Sequence, residues 1–215
     1  MILNLKDIKF LKDLYVVKYL NTTRILKLFS QNNEVYIRRR LKMFVDNKYI
    51  KVYVKLPSRE NVYIIAKKGL AYLGYKPNKQ RIGVEYSLAF GDFYFATRAK
   101  NHYIKFNNTY YFKESGKKGR NYILNIDILF KISRWIFILF DLNDRALENT
   151  LKKINLYYQS KNYLKLFEKF PVVLIISNDI ENSKTKVEDY IDLNRIYVQF
   201  KPYEHFKSWS YNYGK

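Results

Sequence analysis

The spacing of apolar residues near the start of the chain changes from a helical period to a strand period, and this change limits the folds open to it. Three successive segments carry apolar residues every three to four positions, which predicts amphipathic helices at 5–20, 21–29 and 30–49. Two short apolar runs, YIKVYVKL and VYIIA, then flank the turn signal PSREN and predict a strand pair. A last short helix is predicted at 67–75.

The same pattern predicts which helix faces are buried. In the third helix, Ile37, Leu41 and Phe44 form an apolar stripe. Asn21 or Thr22 is available to cap the second helix, since short polar side chains accept a hydrogen bond from the first turn. The stripe predicted for the first helix comprises Leu5, Ile8, Leu11, Leu14 and Tyr15.

Three helices followed by a β-hairpin is the order of a winged helix-turn-helix domain. In that domain the third helix enters the major groove of DNA and the hairpin lies along the phosphates. We therefore predict that residues 1–78 form a domain of this kind and bind double-stranded DNA. The candidate DNA-binding residues are Tyr36, Arg38, Arg39, Arg40, Lys42, Lys51, Lys55 and Arg59.

The charge of the chain supports a polyanionic partner. Its 215 residues contain 40 Lys and Arg against 19 Asp and Glu, a formal net charge of +21. The excess is concentrated near the start, where residues 1–80 hold 18 basic and 5 acidic side chains. Each phosphate that a cation neutralises releases counterions, so nucleic acid is the expected partner and a membrane surface is the second possibility. No apolar run reaches the roughly 20 residues that a membrane span needs, and the N-terminus does not resemble a signal peptide, so we expect a cytoplasmic protein.

The rest of the chain alternates strand-like and helical segments. A buried helix is predicted at 82–101, and three strands at 103–112, 122–131 and 135–142. Helices at 146–168 and 183–193 then alternate with strands at 170–177 and 195–200, which implies a parallel portion covered by helices. We expect an α/β domain over 82–215, α+β for the whole chain, with a mixed sheet flanked by helices and a boundary at 74–81.

Several short stretches occur in the order seen in replication-relaxation proteins, which plasmids and other mobile elements encode. They include RRRLKMFVDNKYIKV, YSLAFGDFYFA, NIDILF, FDLND, KKINLYY and FPVVLIIS, within residues 5 to about 178. The chain resembles this family, and the resemblance implies a winged helix joined to a domain similar to the PD-(D/E)xK nuclease fold. The family's first acid matches Asp127, its second motif matches Asp141, Leu142 and Asn143, and its helical lysine and tyrosine match Lys153 and Tyr157.

The resemblance implies a candidate nuclease centre. Two carboxylates on neighbouring strands can hold Mg²⁺, which prefers oxygen ligands, while a lysine stabilises charge at the scissile phosphate. The implied catalytic residues are Asp127, Asp141 and Lys153, and the implied metal ligands are Glu85, Asp127 and Asp141. Asn143 stands where the active pattern has its lysine. An active centre would make the protein a magnesium-dependent DNA endonuclease, whereas a degenerate one, which Asn143 favours, would need no cofactor.

Three functions remain open from the sequence. The preferred one is a sequence-specific double-stranded DNA-binding protein of a plasmid or mobile element, acting in replication or DNA transfer, with a degenerate nuclease-like second domain. The first alternative is a metal-dependent nuclease or nickase. The second is a transcriptional repressor whose C-terminal domain forms a homodimer; none of the three requires a membrane.

Overall fold

The computed structural model describes residues 2–30, 32–77, 83–98, 102–114, 119–142 and 147–209. The chain is mixed α and β, as the sequence predicts. Its described residues form two compact units, one of residues 2–98 with 208 and 209, the other of residues 102–207. No helix in the described ranges is long and apolar enough to cross a membrane.

The N-terminal unit contains five helices and three short strands among its described residues. A three-stranded antiparallel sheet has the order β1-β3-β2. The elements are α1 (Leu5–Val17), β1 (Leu20–Asn21), α2 (Thr22–Leu28), α3 (Glu34–Asp46), β2 (Ile50–Lys55), β3 (Asn61–Ile65), α4 (Lys67–Leu73) and α5 (Val84–Arg98).

An asparagine begins each of the first three helices. The side-chain oxygen of Asn4 accepts from the backbone N–H of Asp7, that of Asn21 from Arg24, and that of Asn33 from Val35, at 2.8 to 3.2 Å. Each bond satisfies a donor that the first helical turn leaves without a partner. Asn21 therefore caps α2, which confirms one of the two predicted caps.

The core of the N-terminal unit lies between α1, α2, α3 and the sheet. The predicted stripe of α3 is confirmed, since Ile37, Leu41 and Phe44 are all buried. The stripe predicted for α1 is partly wrong: Leu5 is 85% exposed, and the buried apolar face comprises Phe10, Leu11, Leu14 and Val17. The buried face of α1 is thus rotated toward Phe10 and Val17, which the predicted stripe leaves out.

The hairpin of β2 and β3 contains a bulge that changes which face its side chains occupy. Val52 pairs with Tyr63 and Val54 with Val62, so Tyr53 is an extra residue in β2. Directly paired residues share a face, and successive residues alternate between faces. Lys51, which pairs with Ile64, therefore lies on one face of the hairpin, and Lys55, which pairs with Asn61, lies on the other.

Helix α5 belongs to the N-terminal unit. Its Ser87 hydroxyl donates to the backbone oxygen of Val17, and Asp92 accepts from the Arg24 Nε at 2.9 Å and from the Trp209 Nε1 at 2.8 Å. The predicted boundary at 74–81 assigns this helix to the second domain, whereas the compact units divide after it. The reason is that side chains of α5 form hydrogen bonds with residues distant in sequence. Positions 78–81 of the predicted boundary lie outside the described residues.

The C-terminal unit is a five-stranded mixed sheet with helices, as predicted. The sheet has the order β4-β5-β6-β7-β8; β4, β5 and β6 are antiparallel, and β6, β7 and β8 are parallel. Its elements are β4 (Tyr103–Lys113), β5 (Asn121–Lys131), β6 (Trp135–Asp141), α6 (Leu147–Gln159), a 3-10 helix (Asn162–Lys165), β7 (Val172–Ser177), α7 (Ile180–Tyr190), β8 (Val198–Pro202) and α8 (Glu204–Lys207).

One face of this sheet carries a large aromatic and aliphatic core. Helix α6 contributes Leu147, Leu151, Ile154 and Tyr157 to it, at the spacing expected for an amphipathic helix. Burial raises the pKa of the Tyr157 hydroxyl to about 12, because the core disfavours the phenolate.

Candidate functional site

The exposed face of α3 is rich in cations and in large side chains. Because Ile37, Leu41 and Phe44 face the core, the helical period turns Tyr36, Arg39, Lys42 and Met43 toward solvent. Among the described residues, no carboxylate forms an ion pair with Arg39 or Lys42. Both cations are therefore available to a polyanion.

A groove of about 320 Å³ lies between α3 and the hairpin. Arg38 and Lys42 line its helical side, and Val52 and Asn61 line its hairpin side. Arg38 also pairs with Glu34 one turn earlier at 2.6 Å, but both side chains are more than half exposed. An exposed pair of this type contributes little to stability, so Arg38 can exchange Glu34 for a phosphate at small cost.

The hairpin adds cations to the same side. Lys55 pairs directly with Asn61 and so lies on the face that lines the groove. Arg59 is exposed in the turn, where its φ of 64° lies in the left-handed region. Lys51 lies on the opposite face, because the bulge at Tyr53 separates it from Lys55. The structure thus brings Lys55, and not Lys51, to the side of the hairpin that lines the groove.

Arg40 occupies a different environment from the arginine before it. Its guanidinium binds the Asp7 carboxylate through both Nε and Nη2 and donates to the backbone oxygen of Ile2 at 3.2 Å. The guanidinium also lies 5.8 Å from the ring centre of Phe44. The hydrogen bonds to Asp7 raise the pKa of Arg40 further above its ordinary value. Arg40 therefore joins α3 to α1 through this ion pair, and its contact with DNA stays a prediction.

Glu60 holds the hairpin against the N-terminus of α2, and no sequence motif marks it as a functional residue. Its carboxylate accepts from the Asn21 Nδ2 at 2.6 Å and from the backbone N–H of Thr23 at 3.1 Å. An anion at a helix N-terminus also interacts favourably with the helix dipole. Glu60 belongs to the PSREN segment that predicts the hairpin turn. Its partners, Asn21 and Thr23, lie 37 to 39 residues earlier in the chain, so local sequence does not predict them.

The C-terminal unit contains the second candidate site, in which Asp127 has a backbone partner. The pairing of β5 with β6 ends at Ile128 and Ile138. Just beyond this point, the buried Asp127 carboxylate accepts from the backbone N–H of Phe140 at 2.9 Å. Asp127 thus supplies an acceptor where the strand ladder stops.

Asp141, at the end of β6, has partners on α7. One carboxylate oxygen accepts from the Ser183 hydroxyl at 2.7 Å, and the Lys186 ammonium lies 3.4 and 3.2 Å from the two oxygens. Ser177 of the adjacent strand is 2.8 Å from the Ser183 hydroxyl. The carboxyl ends of the parallel strands β6 and β7 and the start of α7 thus meet in a small buried polar cluster.

The other two residues implied by the resemblance are on helices α6 and α5. Lys153 is partly buried on α6, and the described part of the chain gives it no hydrogen bond or ion pair. Glu85 is in the first turn of α5, in the N-terminal unit. Asn143, the position that departs from the nuclease pattern, lies outside the described residues.

The donor set around Asp141 includes an ammonium group, which is not a metal ligand. Magnesium requires near-octahedral oxygen ligation, whereas an ammonium group occupies the approach to both Asp141 oxygens. Within the described ranges, no group of three or more His, Cys, Asp or Glu side chains is placed to hold a metal ion.

Lys186 is the residue of this cluster that sequence reasoning missed. A signal for it exists, because parallel strands place their carboxyl ends at one edge of a sheet and the next helix begins there. The spacing from Ser183 to Lys186 is then one helical turn.

Comparisons with protein-family models, with curated proteins and with solved structures found no match.

Proposed function

We propose that this protein binds double-stranded DNA through α3 and the β2–β3 hairpin, and that it acts in the replication or transfer of a plasmid or mobile element. The observation that carries the proposal is the groove between these two elements. Arg38 and Lys42 line it from the helix, and Lys55 lies on the same face of the hairpin as the lining residue Asn61, with which it pairs.

The order of elements supports a winged helix. The sequence of α1, β1, α2, α3, β2 and β3, with β1 added to the hairpin beside β3, matches the arrangement in which a third helix reads DNA and a hairpin contacts its backbone. Glu60 supports this role by holding the hairpin to α2, which fixes the spacing between the hairpin and the helices.

Different side chains serve affinity and sequence preference in this proposal. Arg39 and Tyr36 lie on the exposed face of α3, and an arginine there can contact guanine through two hydrogen bonds. Lys55 and Arg59 lie on the hairpin and bind phosphates, which adds affinity without sequence preference. Specific recognition therefore depends on α3, and the salt dependence depends on both elements.

We propose that the C-terminal unit is a nuclease-like scaffold without cleavage activity. The arrangement of Asp141 with Lys186 and Ser183, and of Asp127 with a backbone N–H, supports a structural role for both acids. This is the degenerate form of the site that the resemblance to replication-relaxation proteins implies.

The test selects preferred duplexes from a random library with the full-length protein and then measures their affinities at two salt concentrations. Arg39→Ala should weaken the free energy of binding to the preferred duplex by about 1–3 kcal/mol and should change binding to an unrelated duplex little. Lys55→Ala should weaken binding to both duplexes equally. It should also reduce the magnitude of the slope of log K against log salt concentration by roughly 0.9.

Lys12→Ala is the matched control, since Lys12 is an exposed lysine on α1. It should change neither affinity by more than twofold. Wild-type affinity in both the Arg39 and the Lys55 variants would exclude this face of the unit from the interface. A palindromic footprint with repression of transcription would favour the repressor instead.

A further inference from the structure

A second, larger groove in the N-terminal unit is apolar at its base and surrounded by lysines. It encloses about 1000 Å³ between the end of α1, the start of β2, the end of β3 and α4. Its apolar base comprises Leu14, Ile50, Ile64, Ile65, Leu70 and Ala71. The lysines that line it are Lys18, Lys48, Lys51, Lys67 and Lys68. We call this the lysine-ringed groove.

The five lysines have no acidic partner in the described part of the chain. Lys68 lies 4.8 Å from the ring centre of Tyr49 and Lys18 lies 5.5 Å from that of Tyr19, so aromatic faces hold two of the ammonium groups at the groove. Five like charges around one apolar surface repel one another, and an anionic occupant would relieve this repulsion.

Two of these lysines occupy backbone conformations that favour glycine. Lys18, directly after α1, has a φ of 72°, and Lys48, shortly after α3, has a φ of 60°. Both residues reverse the chain at the edge of the groove. The backbone of each is held by a hydrogen bond, from the Lys18 N–H to the Leu14 oxygen at 2.8 Å and from the Lys48 N–H to the Val45 oxygen at 2.9 Å, so the fold defines where both side chains begin.

We propose that the lysine-ringed groove binds an acidic amphipathic helix of another protein. Such a helix has an apolar stripe about 100° wide, with acidic side chains on either side of it. The stripe would cover the apolar base, and the flanking carboxylates would meet the lysines, which is the helix-in-groove mode of recognition.

Charge argues against other occupants. A second copy of this chain carries a net charge of +21 and would meet the lysines with repulsion. Duplex DNA offers phosphates but no apolar surface that could cover Ile64, Ile65 and Leu70. An acidic amphipathic helix matches both properties of the groove.

The lysine-ringed groove and the proposed DNA-binding groove have different cations, although Val45 lines both. Lys51, which lines the lysine-ringed groove, lies on the opposite face of the hairpin from Lys55 and Asn61. None of the five lysines lines the groove between α3 and the hairpin. Binding of a helix in the lysine-ringed groove would add a protein partner to the proposed function. This inference does not depend on DNA binding.

The test uses a fluorescein-labelled 16-residue peptide as the probe. Leucines at i, i+3, i+4, i+7 and i+11 form its apolar stripe, and its other positions are mainly glutamate and alanine. Two further peptides serve as probe controls: one of the same composition in scrambled order, and one with lysine in place of every glutamate. Fluorescence anisotropy with the full-length protein gives each Kd. Wild type should bind the acidic helix at least tenfold more tightly than either control peptide.

Three variants separate charge from shape. Lys48→Glu with Lys51→Glu should weaken binding of the acidic helix at least tenfold. Ala71→Arg should weaken it at least fivefold, because the larger side chain fills the groove while adding positive charge at an exposed helical position. The control is Lys12→Glu with Lys169→Glu, which makes the same charge change at exposed lysines outside the groove and should stay within twofold of wild type.

Several results would overturn the proposal. Failure of wild type to bind the acidic helix, or equal binding of the scrambled peptide, would do so. Tighter binding to Ala71→Arg would reduce the interaction to charge attraction alone. Duplex DNA binding is measured on the same samples; a greater loss in the Lys48/Lys51 variant than in the control would assign the groove to DNA. The Arg39 and Lys55 variants test DNA binding separately, so either proposal can fail without the other.

Discussion

Two neighbouring arginines of α3 should respond in opposite ways to the same substitution. Arg39 is exposed and has no ion-pair partner among the described residues, whereas Arg40 is 19% exposed and binds an Asp7 carboxylate that is 2% exposed. Arg39→Ala should therefore reduce DNA affinity with little change in stability. Arg40→Ala should reduce stability, and at a temperature where it is folded its DNA preference should match that of wild type.

The size of the stability loss follows from the partners that Asp7 keeps. Removing one member of a buried ion pair costs about 3–5 kcal/mol. Asp7 retains the backbone N–H of Asn4 at 2.8 Å and its position at the N-terminus of α1, and Arg40 is partly accessible to water. We therefore expect Arg40→Ala to reduce the free energy of unfolding by about 3 kcal/mol, the lower end of that range. Because 1 kcal/mol lowers Tm by roughly 4–8 °C in a domain of about 100 residues, the N-terminal unit should melt roughly 12–24 °C lower.

The assay combines thermal unfolding, followed by circular dichroism, with DNA titration of the same protein preparations. Arg40→Lys is an informative control, because it retains the charge but not the two-pronged contact, and it should fall between wild type and Arg40→Ala. Combining Asp7→Asn with Arg40→Ala should restore part of the lost stability, because it removes the uncompensated buried charge. Wild-type stability in Arg40→Ala, together with a loss of DNA preference, would refute the assignment and return Arg40 to the DNA-binding surface.

Four further predictions concern the pH dependence of stability, the buried cluster, DNA cleavage and the hairpin. Burial holds the pKa of Tyr157 at about 12, above the ordinary value of 10, so its contribution to the stability of the C-terminal unit is complete below pH 10 and is lost as the pH rises toward 12. Urea unfolding at pH 8 and pH 11 should show this loss, and Tyr157→Phe should reduce it while the exposed Tyr111→Phe does not. Lys186→Met should destabilise the protein by roughly 1–3 kcal/mol by leaving the Asp141 carboxylate with one fewer partner, and adding Asp141→Asn should recover part of this. Wild type should not nick supercoiled plasmid with Mg²⁺ or Mn²⁺; nicking that Asp141→Asn abolishes in a folded protein would establish an enzyme instead. Glu60→Ala should cost about 0.5–2 kcal/mol, as the loss of a helix cap does, and should weaken DNA binding through a looser hairpin; a gain in affinity would indicate that its negative charge, and not its anchoring, dominates at the interface.

The sequence by itself determined the features that depend on neighbouring residues. Helical spacing identified the buried stripe of Ile37, Leu41 and Phe44, and a short polar side chain at Asn21 marked the start of α2. The PSREN signal placed the hairpin turn, and alternating strands and helices indicated the mixed sheet. These features could be predicted because helix caps, turns and the two side-chain periods are local properties of the chain.

Tertiary structure decided which of the predicted residues share a surface. Arg40 differs from Arg39 because Asp7, 33 residues earlier, binds it, and Asp141 meets Lys186, which is 45 residues later. One extra residue at Tyr53 sends Lys51 and Lys55 to opposite faces of the hairpin, and α5 joins the N-terminal unit through Val17, Arg24 and Trp209. Spacing along the chain carries no information about such partners, because each pair forms only when packing of the core brings distant elements together.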